Sequence, residues 1–365
     1  MRECEAMALL VSVQGLSYGR REIALRAAGG AEAVMADPGA WEKQLSPDGV
    51  QAIRRFIRSG GAQRTLDMLS ARSVHLVMRG EEGYPSALMQ TAHPPQMLFC
   101  LGEGKLDDLF PVAVVGTRRA SQYGLTMARE IAKGLAEAGV CVVSGLAMGI
   151  DAAAHRGALD AGGRTVAVLG GGLDKLSPER NRPLMEAILE RGGSVITEYP
   201  LGAPALGPNF LRRNRIIAGM SLGTLVVEGA LRSGALRTAE DAIACGREVF
   251  ALPGDVRVKT TQLPHMLIRE GAHLVTCAQD ILNMIRIEHP KAAETAAQPV
   301  QEPKQPAGLS DAEAAVWQRL LQGECDFDAL CTLTGENPDD LSATLMMMEL
   351  DGLVEALPGL AYRLA

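Results

Sequence analysis

The chain has 365 residues, 47% hydrophobic and 22% charged, with formal net charge −7. This length allows two or three domains, and the composition excludes wholesale disorder. The acidic balance argues against a strongly basic nucleic-acid coat protein, and no apolar run approaches the ~18 residues of a membrane span.

The N-terminal stretch MRECEAMALLVSVQG places acids before a short apolar run, with no small-residue cleavage site after it. It does not read as a signal peptide. Residues 1–72 form the first unit. Apolar residues recur there at helical spacing, as at Val50, Ile53 and Ile57, and glycines punctuate the region. A small helical domain is predicted.

Residues 73–285 change texture. Seven short apolar runs read as strands: VAVVG (112–116), VCVVSG (140–145), TVAVLG (165–170), SVITEYP (194–200), GTLVVEG (223–229), EVFALPG (248–254) and HLVT (273–276). Helical patterns alternate with them, at 125–139, 152–162 and 235–246 among others. Near-continuous apolar strands separated by helices predict a parallel sheet covered on both faces, a doubly wound, Rossmann-like α/β fold.

Residues 286–308 are rich in Ala, Pro, Gln and Glu and read as a linker. Residues 309–365 form a last unit. Ser310 and Glu313 make a capping-box pattern, and three helices followed by two strands around Pro358-Gly359 predict a winged helix. Its Met346-Met347-Met348 run reads as helical core, with at least one of the three partly exposed. The seven cysteines are scattered without a CxxC pair, so neither a zinc site nor a disulfide framework is indicated. Cys141 reads as a small buried hydrophobe, and a reducing cytoplasm is the expected setting.

Glycines and small polar residues recur where the strands end: Gly116-Thr117-Arg118-Arg119, Ser144-Gly145, Gly170-Gly171-Gly172 and Pro253-Gly254. In an open α/β sheet the ligand crevice lies beyond the carboxyl ends of the strands. Glycine permits close backbone approach there, and helix N-termini offer N–H groups to anions. Tight turns alone would explain any one of these glycines; four such ends together favour a phosphate-bearing ligand. A dinucleotide is not supported. GTRRASQYG lacks the second glycine of the fingerprint, and GGGLD lacks the acidic partner.

The segment PNFLRRNRIIAG (208–219) sets Arg212, Arg213 and Arg215 around Asn214 at a helix start. Arginine suits bidentate phosphate contact. With Arg118, Arg119, Arg237, Arg257 and Lys259 near the strand ends, a basic crevice is predicted, of the kind that tracks a single-stranded backbone. Asp151 and His155 stand four apart on a helix. They read either as a metal or acid/base pair or, the expected case, as a helix-start charge hydrogen-bonded by the histidine. Glu228 ends a strand and reads either as a partner that orients one of the arginines at 212–215 or as a solvated loop carboxylate. No metal or nucleophile constellation is spaced to name a hydrolase, and no cofactor is expected.

The series GTRRASQYG, SGLAMGIDAAAH, TVAVLGGGLD…SPERNRPL, EYPLG…FLRRNRIIAG, VVEGALRSGALRTA, EVFALPG and LIREGA resembles the DNA-processing protein A family (DprA, also called Smf). The match keeps motif order over roughly residues 74–285. The resemblance implies an extended Rossmann core, an N-terminal sterile-alpha-motif-like domain and a C-terminal winged helix. It further implies a homodimer that binds and protects incoming single-stranded DNA and loads RecA recombinase onto it in natural transformation and recombination. By resemblance the DNA contacts fall on Gly116, Thr117, Arg118, Arg119, Ser144, Gly145, Arg212, Arg213, Asn214, Arg215, Ser233, Gly234 and Thr238, and on Arg257 or Lys259 after the Pro-Gly turn. The chain departs from the pattern at Leu211, where the family usually has proline, and at Leu263 and His265, where it usually shows Gly and Asn.

The leading expectation is a non-enzymatic single-strand binder with little base preference, since aromatics are only 4% of the chain. Tyr123 is the best stacking candidate, or else a packing residue. The alternative is a Rossmann-type nucleotide-cleaving enzyme, phosphoribohydrolase-like. Its PGG-then-glutamate turn is absent, the chain reading Pro253-Gly254-Asp255. A third reading, a duplex-DNA regulator acting through the winged helix, meets that unit's charge. Residues 305–365 carry eleven acids against two bases, net −9, leaving 34 bases against 32 acids, net +2, over residues 1–304. Phosphates would be repelled, so this winged helix is expected to contact protein.

Overall fold

The computed structural model describes residues 2–102, 106–107, 110–288, 309–321, 325–351, 353–357 and 361–364. Its contacts divide the chain into two units, Met1–Ala296 and Ala297–Ala365. Most of the segment read as a linker, and the Pro358-Gly359 turn, lie outside the described residues.

The first unit opens with helices α1 (Glu3–Ser12), α2 (Tyr18–Ala28), α3 (Ala31–Ala36), α4 (Glu42–Leu45), α5 (Pro47–Arg58) and α6 (Gly61–Ala71). Their starts are written in the chain: Ser17 and Ser46 accept backbone N–H groups as N-caps, and Pro47 occupies the first turn of α5. Strands β1 (His75–Met78) and β2 (Met97–Gly102) follow, with α7 (Ser86–Met89) between them. Then β3 (Pro111–Val115), α8 (Gln122–Glu137), β4 (Cys141–Ser144), α9 (Ile150–Asp160), β5 (Thr165–Val168), α10 (Arg182–Glu190), β6 (Ser194–Thr197), α11 (Gly207–Met220), β7 (Gly223–Val226), α12 (Gly234–Ala244), β8 (Glu248–Ala251), α13 (Gln262–Arg269), β9 (His273–Leu274) and α14 (Ala278–Glu288) complete the unit. All seven predicted strands of the α/β region are present.

The nine strands form one sheet in the order β1-β2-β6-β5-β4-β3-β7-β8-β9. From β6 through to β9 all neighbours are parallel, and β1 and β2 extend the sheet antiparallel. Side chains alternate between two cores, as strand geometry requires. Val112 and Val114 of β3 pack with α8, α9 and α14, whereas Ala113 and Val115 pack with α11, α12 and α13. The helical region shares a core with the sheet: Leu9, Leu10, Val34 and Ile53 lie in one cluster with Phe99 of β2 and Val195 of β6. Between β3 and β7 the strand order reverses, and a ligand crevice is expected outside the carboxyl ends of those two strands.

The second unit contains α15 (Asp311–Leu320), α16 (Phe327–Thr334) and α17 (Pro338–Leu350), with strands β10 (Cys325–Asp326), β11 (Val354–Leu357) and β12 (Ala361–Leu364) in the order β10-β12-β11. The Ser310/Glu313 capping box forms as predicted. Of the methionine run only Met348 joins the core; Met346 and Met347 are exposed.

Candidate nucleic-acid interface

A cleft of about 690 Å³ opens where the strand order reverses. Its floor is the end of β3, Val115 and Gly116, continuing into Thr117, Arg118 and Arg119. Its opposite walls are the first two turns of α11 and α12, through Phe210, Arg213, Asn214, Ser233, Gly234 and Thr238. The loops after β3 and β7 are tied together, since the Thr117 N–H donates to the Glu228 carbonyl at 2.8 Å.

Two helices present their N-termini to this cleft without a side-chain cap, α11 from Leu206 and α12 from Ser233. Pro208 carries no N–H, and the Asn209 and Leu236 N–H groups donate to the Leu206 and Ser233 carbonyls at 3.0 and 3.2 Å; the other first-turn N–H groups and the positive dipole ends are available to an anion. The Ser233 hydroxyl oxygen is shielded from solvent and has no partner. Asn214 Nδ2 and Thr238 Oγ1 both donate to the Gly234 carbonyl, at 3.1 and 3.2 Å, and so hold the first turn of α12.

The three arginines of 212–215 part company. Arg213 is buried at 4% exposure and donates to the carbonyls of Gly145 and Val168, at the ends of β4 and β5. Burial pushes its guanidinium down to about 10, opposed by the charge of Asp151. Burial raises the Asp151 carboxyl, opposed by Arg213 and by the N–H groups of Ala147 and Gly145. A Cβ at Gly145 would collide with the Arg213 guanidinium, so this glycine makes room for that side chain. Arg215 pairs with Glu198 and donates to the His93 carbonyl at 2.6 Å. Arg212 points away from this cleft and is exposed.

The unneutralised cations of the cleft are Arg118 and Arg119. Both are exposed, and neither guanidinium has a hydrogen-bond or ion-pair partner among the described residues. Arg118 lies 5.0 Å from the centroid of the Phe210 ring, and Arg213 lies 6.0 Å from it. Phe210 is the residue that sequence reasoning passed over. Its signal was an aromatic two residues ahead of an arginine pair, near a helix start.

Other predicted positions sit elsewhere. Ser144 is fully buried, its hydroxyl donating to the Val114 carbonyl at 2.6 Å, and the Gly145 N–H is taken by Asp151. Both lie beneath the cleft. Arg257 is exposed and pairs with Asp255, and Lys259 begins the 3₁₀ turn after it. In α13, which follows, His265 Nε2 lies 3.1 Å from the Gly254 carbonyl oxygen, and Leu263 is buried with its N–H on the Gly229 carbonyl. Tyr123 donates its hydroxyl to the Pro253 carbonyl at 2.8 Å.

Two expectations are corrected. Asp151 and His155 do not pair: His155 is fully buried, its Nδ1 2.7 Å from the Thr165 hydroxyl, and burial pushes it down to about 3. Thr165 donates its own proton to the Val142 carbonyl, so its oxygen accepts from Nδ1–H of a neutral imidazole. Glu228 is neither an arginine's partner nor solvated. It is 1% exposed and accepts from the N–H and hydroxyl of Ser121, at 2.9 and 2.6 Å, at the start of α8. Asn181 is a further residue that sequence reasoning missed. Its Nδ2 donates to the Leu146 and Ala147 carbonyls and holds the loop in which Leu146 takes φ 54°.

The family model for DNA recombination-mediator protein A matches residues 75–286, and one for the DprA winged helix domain matches residues 300–359. Protein Smf of Escherichia coli is 39% identical over 306 residues, covering 83% of this chain and 80% of that protein. The DNA processing protein DprA of Streptococcus pneumoniae is 45% identical over 204 residues, covering 55% of this chain and 71% of that protein. Its X-ray structure superposes with a TM-score of 0.67 at 33% identity, covering 78% of this chain and 98% of that one. A DNA processing protein A from Helicobacter pylori, described for its single-stranded DNA binding mode, superposes with a TM-score of 0.52 at 26% identity, covering 59% and 97%.

Proposed function

The chain belongs to the DNA recombination-mediator protein A family, and from that premise we propose that its first cleft binds single-stranded DNA by the backbone. The observation that carries the reading is a pair of uncapped helix N-termini facing two unneutralised arginines, Arg118 and Arg119, across the switch point of the sheet. Phosphates would sit between the arginines and the N–H groups of α11 and α12. Arg213, Asn214 and Thr238 position that frame. The bound strand would be protected and handed to RecA recombinase, the step that a recombination mediator performs. The Helicobacter pylori neighbour's single-strand binding supports the ligand.

No catalytic role is proposed. A nucleotide-cleaving enzyme needs a carboxylate presented to the ligand. Asp151 lines the cleft, but it is only 6% exposed and is held by two backbone N–H groups beside Arg213, and Glu228 is enclosed by Ser121. The proposed setting is the cytoplasm, and among the described residues no helix is long and apolar enough to cross a membrane. A homodimer belongs to the same reading, supported by exposed Val256 and Leu274 near the open β9 edge.

The test is oligonucleotide binding at several salt concentrations. Wild type should prefer single to double strands, and Arg118→Ala/Arg119→Ala should flatten the salt slope by about two phosphates' worth. An unchanged slope, or equal affinity for duplex, would sink the reading.

A further inference from the structure

A second cleft, of about 630 Å³, opens on the other side of α11, past its first turn. It lies between α2 of the helical region, the segment after β6 and the start of α11. Consecutive residues on a helix project about 100° apart. Arg213 therefore turns to the floor of the first cleft while Arg212 lines the second, and Leu211 lines both. One helical turn thus separates two clefts and serves each.

The chemistry of the second cleft is mixed. Tyr18, Tyr199, Pro200 and Leu211 give flat and apolar walls. The Tyr18 hydroxyl donates to the Pro94 carbonyl at 3.2 Å, which fixes its ring. Four arginines line the cleft, and three are committed: Arg215 to Glu198, Arg237 to Asp241 at 3.1 Å, and Arg21 through Nη1 to the Leu16 carbonyl at 3.0 Å. Arg212 is exposed and has no hydrogen-bond or ion-pair partner among the described residues. The Tyr199 hydroxyl and Arg21 Nε are buried donors with no partner. Buried polar groups are ordinarily satisfied. Both atoms are shielded from solvent behind the cleft wall, so what the cleft offers a ligand is the exposed Arg212 guanidinium beside the tyrosine and leucine side chains.

We propose that this second cleft takes one nucleotide unit of the same single strand, with its base against Tyr18, Tyr199 and Leu211 and its phosphate on Arg212. The proposal rests on the single-strand reading of the first cleft. Continuity favours a strand over a free nucleotide. The rim between the clefts is Leu211, which lines both and is about half exposed, and an apolar rim of this kind suits a base turning from one cleft into the next. Aromatic faces accept any base, so the subsite adds affinity without sequence preference. It also makes α2 part of the DNA-binding surface.

The experiment uses the full chain, with labelled oligothymidylates of about 4 and about 16 nucleotides, the range of single-strand site sizes. Arg212→Ala should bind the short oligonucleotide like wild type and lose about tenfold on the long one. Arg118→Ala should weaken both. A photoreactive thymine analogue, placed singly along the long strand, should crosslink to a peptide containing Tyr18 or Tyr199 at one position and to the Phe210 peptide at another. Wild-type binding of the long strand by Arg212→Ala, or no crosslink to either tyrosine peptide from any position, overturns the second subsite. Failure of the wild type to bind either oligonucleotide instead overturns the single-strand reading itself.

Discussion

Arg213 and Arg118 are both cations of the first cleft, and they act in opposite ways. Arg213 is buried, and its guanidinium closes the carbonyl ends of two strand loops at Gly145 and Val168. Truncating it leaves buried carbonyls without a donor, each of which costs about 1–3 kcal/mol. Arg213→Ala should therefore lower the unfolding free energy by about 3 kcal/mol in urea titration, and lose DNA affinity only as a consequence. Arg118 is exposed and unpaired, so Arg118→Ala should change stability by less than about 0.5 kcal/mol while weakening DNA binding. A stable Arg213→Ala protein with reduced affinity would reverse the assignment. That the arginines cluster early in a helix was legible in the chain; that they form one anion site remained an expectation. The division of labour within the cluster was not legible. It depends on where each side chain points around the helix and on what lies beneath, here Gly145, Glu198 and the open second cleft.

At the scale of elements, the site is the meeting of two helix N-termini with a strand end, and α12 gives the cleaner test. A Cβ at Gly234 would meet only Leu211, at 3.9 Å. Gly234→Asp therefore fits sterically and places a negative charge at the positive end of the helix. Such charges stabilise a helix by about 0.3–1 kcal/mol, and removing glycine adds to that. The variant should unfold at equal or higher urea concentration yet bind single strands at least tenfold more weakly, since the carboxylate would occupy the proposed phosphate position. Retained affinity would move the phosphates elsewhere. The strands were legible because both of their faces are buried, which writes them as unbroken apolar runs such as VAVVG. Glu228 was misread because an acid at a strand end looks the same whether it faces a ligand or caps a neighbouring helix. Only the fold brings Ser121, 107 positions away, to its carboxylate.

At the scale of the molecule, charge is partitioned along the chain. The whole carries −7, but residues 305–365 hold eleven acids against two bases, and residues 1–304 are near neutral with unpaired arginines in the cleft. The boundary between the two structural units falls close to that electrical boundary, at Ala296. Every residue of the first cleft belongs to the first unit, and the second unit has its own core around Trp317, Leu330, Leu345 and Met348. A winged helix with net charge −9 would pay electrostatically to approach a phosphate backbone, so it adds no counterion release to binding. Removing residues 305–365 should therefore leave single-strand affinity within about twofold at physiological salt and leave the salt slope unchanged, because the slope counts phosphates neutralised. At low salt, where screening lengths grow to about 30 Å, the truncated protein should bind as tightly as the full chain or tighter. Anisotropy titrations of both proteins over one salt series decide it. A shallower slope after truncation would mean that Arg319 or Arg363, the two bases of the terminal unit, touches the strand, and would assign the winged helix to DNA.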